Sequence, residues 1–256
     1  MELITIKAPA EIEKMRAAGR LTAQARALAG SMIRPGVTTG EIDREVRKFI
    51  RSHGAKPSFL GYGGFPGSIC ASVNEVVIHG IPGNRRLEEG DIVSIDVGAY
   101  LHGFHGDCAA TFPCGKVSDE ARKLMDVTKE SFFKGIAQAK AGNRVRDIGH
   151  AVQQYVESFG YGVVRDFVGH GVGRQMHEPP EVPNYGPGGH GPRLMPGMVI
   201  AVEPMVCAGD WRVKVLEDNW TTVSVDGSLT AHYENTILIT EGEPEILTDP
   251  GEGYEL

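Results

Sequence analysis

Four carboxylates and one imidazole stand out by where they interrupt the chain. Asp96 falls inside the apolar run IVSIDV, and Asp107 opens the next strand-like run, DCAATF. Glu203 ends MVIAVE just before Pro204, and Glu234 precedes NTILI. His170 sits in GHGVG, flanked by glycines that permit close backbone approach. A carboxylate in an apolar strand is costly to bury unless something neutralises it. A hairpin centred on Leu101-His102 pairs residues whose numbers sum to 203, which sets Asp96 directly opposite Asp107 with Cβ atoms ~4.5–5.5 Å apart. Like charges there repel, so a shared proton or a cation must lie between them. Four carboxylates exceed what one ion needs, and with one imidazole they suit hard or borderline divalent metals. Two ions ~3.5–4 Å apart, bridged by carboxylates and a water-derived hydroxide, make a hydrolytic site. No HExxH, P-loop or nucleophile-elbow motif competes, and GYGGFPG (61–67) lacks the GxGxxG fingerprint.

The elements that must hold these residues are readable from periodicity. The first ~55 residues predict two helices. Ile12, Met15, Leu21, Ala25 and Leu28 form one apolar face; Ile42, Val46, Phe49 and Ile50 form another behind the capping box Thr38-x-x-Glu41, with Gly54 as C-cap. Strand-like runs follow at ASVNEVVIHG, DIVSIDVGAY and DCAATF. The order then repeats. A helix begins after Ser118, a second carries Val145, Ile148, Val152, Tyr155 and Val156, and strand-like runs return at VVRDFVGHG, GMVIAVEPMV and ENTILIT.

Adding 106 carries Gly36, Ile42, Val46, Ser52 and Gly54 onto identical residues, and adding 107 carries Asp96 onto Glu203. HGD (105–107) lies against HYE (232–234), setting Asp107 opposite Glu234, while VVIHGI against FVGHGV sets His79 opposite His170. Polar residues that recur at matching points of apolar strands are not explained by periodicity alone. No linker separates the halves. One domain covering 1–256 is therefore expected, with an internal pseudo-twofold repeat of about 10–115 and 118–240.

Composition bounds the function classes. A hydrophobic content of 41% and a charged content of 23% are ordinary globular values that exclude a disordered or collagenous chain. Net charge −7 leaves no overall basic footprint for nucleic acid. Cys70, Cys108, Cys114 and Cys207 form no CxxC pair, so free thiols in a reducing compartment are expected. The N-terminus lacks the apolar core of a signal peptide and no apolar run is long enough to span a membrane; a cytoplasmic protein without membrane partner is expected.

PGVTTGEID, NEVVIHGIP, IVSIDVGAYLHGFHGD, GHGVGRQMHEPP, VIAVEPM and HYENT occur in this order between about residues 3 and 249. Together they resemble the type I methionine aminopeptidases. The resemblance implies an α+β pita-bread fold, two pseudo-symmetric αα-β halves around a curved antiparallel sheet. It implies that Asp96 and Asp107 bind one divalent ion, that Asp107, His170, Glu203 and Glu234 hold another, and that Asp107 and Glu234 bridge. Mn, Fe, Co and Zn all accept such ligands. It further implies that His79 and His177 contact the substrate, that Glu203 shuttles the proton, and that Tyr62, Phe65, Cys70, Met176 and Trp220 form the pocket for the first residue. Phe65 and Met176 depart from the family pattern, where Tyr and Phe are common. The implied activity is removal of initiator Met from nascent polypeptides with a small second residue, by a monomer; transient ribosome contact is left open. The nearest rival is an aminopeptidase P or prolidase on the same fold, and the rival of another class is a binding module that has lost its metal.

Overall fold

Capping geometry starts the second and third long helices at the expected places, after Thr38 and Ser118. In α1 (Pro9–Ser31) the Glu11 carboxylate accepts from the Ala8 N–H at 3.0 Å. Ahead of α2 (Thr39–Ser52), Thr38 N–H donates to Glu41 Oε2 at 2.7 Å while Thr38 Oγ1 accepts from Glu41 N–H at 3.2 Å, the reciprocal box. Gly54, at φ 72°, turns the chain out of the helix in the left-handed region. The computed structural model describes residues 3–253, so residues 1–2 and 254–256 of the expected domain lie outside the described residues.

Five strands follow the first helix pair: β1 (Lys56–Pro57), β2 (Ile69–Val73), β3 (Val76–Ile78), β4 (Ile92–Leu101) and β5 (Phe104–Pro113). The second half repeats the plan with α3 (Asp119–Ile136), capped by Ser118, and α4 (Val145–Glu157). Its strands are β6 (Gly162–Val163), β7 (Gly169–Gly171), β8 (Glu178–Val182), β9 (Val199–Val202), β10 (Met205–Cys207), β11 (Val213–Val215), β12 (Thr222–Ser224), β13 (Thr230–His232) and β14 (Glu234–Leu238). β15 (Glu245–Ile246) closes the chain against β14. The main sheet runs β1-β4-β5-β14-β9-β7-β8, antiparallel throughout, with β2 also on β4. α1 lies across β4 and β5. Ile42, Val46, Ile50 and Ile95 fill the core of the first half; Phe132, Ile148, Ile200 and Ile237 fill that of the second. Among the described residues no helix is long and apolar enough to cross a membrane.

The halves match at the level of single hydrogen bonds. Gly36 N–H donates to Leu87 O at 2.8 Å, and Gly142 N–H donates to Leu194 O at 2.9 Å. Leu87 N–H returns to Val37 O and Leu194 N–H to Asn143 O, both at 2.8 Å. The two glycines share a left-handed backbone, at φ 91° and φ 93°. Each half therefore ties the loop entering its second helix to the lead into β4 or β9.

Three sequence expectations need correction. The β4–β5 hairpin turns at His102-Gly103, not at Leu101-His102, so Leu101 pairs with Phe104 and paired numbers sum to 205. A two-residue turn of this hand needs positive φ at both central positions. His102 at φ 54° and Gly103 at φ 90° supply it, whereas Leu at the first position would be strained. Asp96 pairs with Ala109 and Asp107 with Gly98; the slip is even, so both carboxylates keep the same face and meet diagonally. Second, VVRDFVGHG and GMVIAVEPMV are each broken, the latter at Glu203-Pro204, because proline has no N–H for the ladder. Third, His79 and His170 are not topological equivalents. Asn74, at φ 55°, turns the chain out of the main sheet, and β3 joins a small sheet with β11 and β12, while β7 pairs with β8 and β9.

The turn assignment is testable. Gly103→Ala forces a Cβ into a left-handed position at a cost of ~1–2 kcal/mol, and at this chain length each kcal/mol is worth about 2–4 °C in Tm. Thermal unfolding followed by circular dichroism should show that loss, and an unchanged Tm would place the turn elsewhere.

Candidate metal centre and adjoining pocket

The even pleat of neighbouring antiparallel strands delivers the carboxylates to one place: Asp96 from β4, Asp107 from β5, Glu234 from β14 and Glu203 from the end of β9. Asp107, Glu203, Glu234 and His170 are buried; Asp96 keeps part of its surface open to a cavity, although its Oδ1 is enclosed. His170 Nε2 lies 3.5 Å from Asp107 Oδ2 and 3.7 Å from Glu203 Oε1. Its Nδ1–H donates to Gly171 O at 2.9 Å, which fixes the tautomer and leaves the Nε2 lone pair facing the carboxylates.

Two overlapping sets have donor atoms within 4.8 Å of one another: Asp107, His170 and Glu234, and Asp96, His232 and Glu234. Asp96 Oδ1, Asp107 Oδ1, Glu234 Oε1 and His232 Nε2 are buried without any hydrogen-bond partner. Enclosed oxygens with nothing to accept from, beside neutral imidazole nitrogens, are the donor set of a divalent cation, and the residues fit one.

The electrostatics agree. Burial pushes all four carboxyls up from their ordinary range, and mutual repulsion adds to this for Asp107, Glu203 and Glu234. The Arg26 guanidinium pulls Asp96 and Glu234 part of the way back. Burial pushes His170 and His232 down to about 3 and His79 to about 4, so these rings are neutral.

Beside the centre opens a cavity of about 330 Å³, lined by Tyr62, Phe65, Cys70, His79, His177 and Trp220 together with the four carboxylates and His170. His79 holds φ 58°, a strained conformation for a residue with a Cβ, and its ring lies edge-on to Phe167 and Trp220 at 5.7 Å and 6.1 Å. The His177 ring lies 4.2 Å from that of His170 with their planes tilted by 57°, and Tyr62 Oη lies 2.7 Å from His177 Nδ1. Phe65 meets Trp220 edge-on at 5.1 Å. Cys70 stands across the ladder from Asp96; burial and that neighbouring charge raise its thiol, which suits a wall and not a nucleophile. Met176 is buried in the same apolar cluster as Phe59, Phe65 and Cys70 but backs the wall without lining the cavity.

Residues 13–241 match the model of metallopeptidase family M24. The chain is 58% identical over 247 residues to the methionine aminopeptidase of Clostridium acetobutylicum, covering 96% of this chain and 99% of that protein. The crystal structure of the methionine aminopeptidase of Thermotoga maritima superposes with a TM-score of 0.95 at 49% identity, covering 96% of this chain and all of that one. The prolidase of Pyrococcus furiosus superposes less closely, with a TM-score of 0.76 at 26% identity, covering 96% of this chain and 66% of that one. The chain belongs to metallopeptidase family M24.

Sequence reasoning missed three groups around this M24 centre. Arg26, buried in α1, donates through Nη1 to Ala109 O at 3.1 Å, Glu234 O at 3.0 Å and Asn235 Oδ1 at 3.2 Å, placing a cation beneath the carboxylates. A lone Arg within the small-residue stretch AQARALAG was the available signal. Asn184 donates to Glu203 O at 3.0 Å and had no signal. His232 was visible in HYE but went unweighed.

The raised carboxyls set a pH dependence. Their protonated forms stabilise the metal-free fold below about pH 4, and that contribution is lost as pH rises through the raised values. A divalent ion takes the place of those protons. The gap in Tm between manganese-loaded and chelator-treated protein should therefore widen from about pH 5 to about pH 8. Scanning calorimetry in both states checks this; a constant gap would mean that the carboxyls ionise without an ion.

Proposed function

We infer that this chain is a metal-dependent aminopeptidase that removes the N-terminal methionine from polypeptides. The observation that carries this is one cavity in which an apolar wall adjoins a buried set of carboxylate and imidazole donors, in a chain so similar to methionine aminopeptidases. The substrates are N-termini of newly made chains. The two halves act as one catalytic domain, with repeats of about 10–115 and 118–240.

The ligands divide between two ions. Asp96 and Asp107 would hold one, and Asp107, His170, Glu203 and Glu234 the other, with Asp107 and Glu234 common to both; that Glu234 belongs to two overlapping donor sets supports its sharing. When bound, such ions polarise a scissile carbonyl and supply an attacking water at neutral pH. The chain's own groups do the rest. Glu203, kept protonatable by burial, accepts the proton of the attacking water and passes it to the leaving amine. Tyr62 donates to His177 Nδ1, which keeps the ring proton on Nε2, free to donate to the oxygen on which charge develops. His79, neutral and held by its strained backbone, meets the substrate amide on the other side. Phe65, Cys70 and Trp220 enclose the first side chain, with Met176 packed behind them.

Glu203→Gln preserves size while removing the charge and the proton carrier, and should lower kcat by ~10²–10⁴-fold in fully metallated protein. Steady-state kinetics with matched metal content decide it, and wild-type turnover would remove Glu203 from proton transfer.

Substrate choice follows from the wall. A sulfur–aromatic contact with Trp220 adds ~0.3–1.5 kcal/mol for Met, and apolar pockets separate near-isosteres by only ~10–200-fold. Met should be preferred over Leu, norleucine should be cleaved nearly as well as Met, and charged first residues should be refused. The second residue must pass between His79 and His177, so Gly, Ala and Ser should be accepted there and Leu, Lys and Glu rejected. A peptide panel read by mass spectrometry tests this; efficient release of a non-Met residue ahead of Pro would move the chain to the prolidase-like branch.

A further inference from the structure

His232 has no place in the division of ligands above, yet its surroundings match those of a ligand. Its Nε2 lies 3.8 Å from Glu203 Oε2 and 3.8 Å from Glu234 Oε2. His170 Nε2 lies at similar distances from its own two carboxylates, 3.5 Å from Asp107 Oδ2 and 3.7 Å from Glu203 Oε1. Such separations are too long for hydrogen bonds. The separation from Glu234, the carboxylate shared between the two ions, is what two donor atoms show when each sits ~2.0–2.2 Å from a common ion. With Asp96 and Glu234, His232 forms a set whose donor atoms lie within 4.8 Å of one another.

The histidine two residues before Asp107 provides an internal comparison. His105 and His232 occupy matching places in HGD and HYE, each two residues ahead of a carboxylate. His105 has found a protein partner: its Nδ1 lies 2.9 Å from Ser58 Oγ and its ring packs on Tyr100 at 4.6 Å. His232 Nε2 is buried with no hydrogen-bond partner at all. The backbone of His232 is pinned on both sides, since its N–H donates to Thr111 Oγ1 at 2.9 Å and its carbonyl accepts from the same hydroxyl at 3.0 Å. The ring is held in the gap between Glu203 and Glu234, and an orphaned imidazole nitrogen fixed among carboxylates answers to a cation.

We propose that His232 is a sixth protein ligand of the metal centre, its Nε2 completing the shell of the ion assigned above to Asp96 and Asp107, in which Glu234 is shared. This rests on the metal-dependent function above and extends it. An ion otherwise surrounded by carboxylate oxygen gains one nitrogen donor, which shifts its preference from manganese toward the borderline ions zinc and cobalt.

The test uses full-length protein labelled with ¹⁵N-histidine, stripped and reloaded with zinc, a diamagnetic ion. Long-range ¹H–¹⁵N spectra should show two imidazoles with zinc-bound Nε2, assigned by His170→Gln and His232→Gln. In titration calorimetry with zinc, His232→Gln should weaken one of the two binding events by at least ~10-fold while the other stays within about twofold, and the ratio of zinc to manganese affinity at the weakened site should fall. Two ions taken up with only His170 bound through nitrogen, and unchanged isotherms for His232→Gln, would overturn the assignment while leaving the metallopeptidase function intact. Failure of wild-type protein to take up any divalent ion would instead overturn both. Should His232→Gln not fold, a zinc-bound Nε2 that persists in each of His170→Gln, His79→Gln and His177→Gln decides for His232, and its absence decides against it.

Discussion

Four carboxyl groups buried side by side set the terms for the rest of this structure. Two like charges about 4 Å apart at an effective dielectric of about 20 repel by ~4 kcal/mol, and domains of this kind have only ~5–15 kcal/mol of stability in total. Asp96, Asp107, Glu203 and Glu234 therefore cannot all be ionised in the folded chain without compensation. Arg26 supplies one positive charge from beneath, through the carbonyls and amide it grips, but its Nη1 donates to Ala109 O, Glu234 O and Asn235 Oδ1 and to none of the four carboxylate oxygens. The remaining charge has to be met by protons or by a cation. The enclosed, unpartnered oxygens of Asp96, Asp107 and Glu234 show that no described protein donor fills that role.

Holding such a cluster together requires strands that cannot drift apart, and the paired plan of the fold provides them. Asp107 and Glu234 sit on β5 and β14, which pair at the middle of the main sheet, with β4 and β9 on either side. Thr236 Oγ1 stitches that seam by accepting from Asp107 N–H at 3.1 Å and donating to Asp107 O at 2.8 Å. In each half a loop hydrogen bond, Gly36–Leu87 or Gly142–Leu194, ties the second helix to the sheet, and the two cores pack against β4 and β9. The short side chains come from one half and the long ones from the other. Asp96 and Asp107 hold carboxyls close to their strands, whereas Glu203 and Glu234 reach one methylene further.

Much of this was legible in the sequence, for identifiable reasons. A carboxylate inside IVSIDV is conspicuous because apolar strands rarely tolerate one, and repetition of the same interruption at Glu203 is hard to explain as periodicity. The helices were legible because caps such as Thr38-x-x-Glu41 and Ser118 are local chemistry. The hairpin register was placed two residues away because the turn depends on which pair can take positive φ, and Gly103 was not weighed for that. The face survived the slip only because two is an even number. Arg26 and His232 escaped for a different reason. What makes them matter is the absence or presence of a partner in three dimensions: His105 and His232 look alike in sequence, and only Ser58 tells them apart.

The division between metal centre and pocket also decides how far substrate choice and chemistry can vary independently. The apolar wall is built largely from the first half, by Phe59, Phe65 and Cys70, with Trp220 and Met176 closing it. The wall and the carboxylate–imidazole cluster touch at Cys70, whose strand pairs with that of Asp96, and at His177, whose ring lies against that of His170. A change at Phe65 or Met176 alters volume and leaves the donor set alone, because neither contributes a donor atom to the cluster. A change at Cys70 or His177 alters both, since any shift of the wall there moves the strand of Asp96 or the ring of His170. The physical separation is thus uneven: the far side of the pocket is free to adapt to the side chain it holds, while the near side is bound by the same geometric demands as the metal centre.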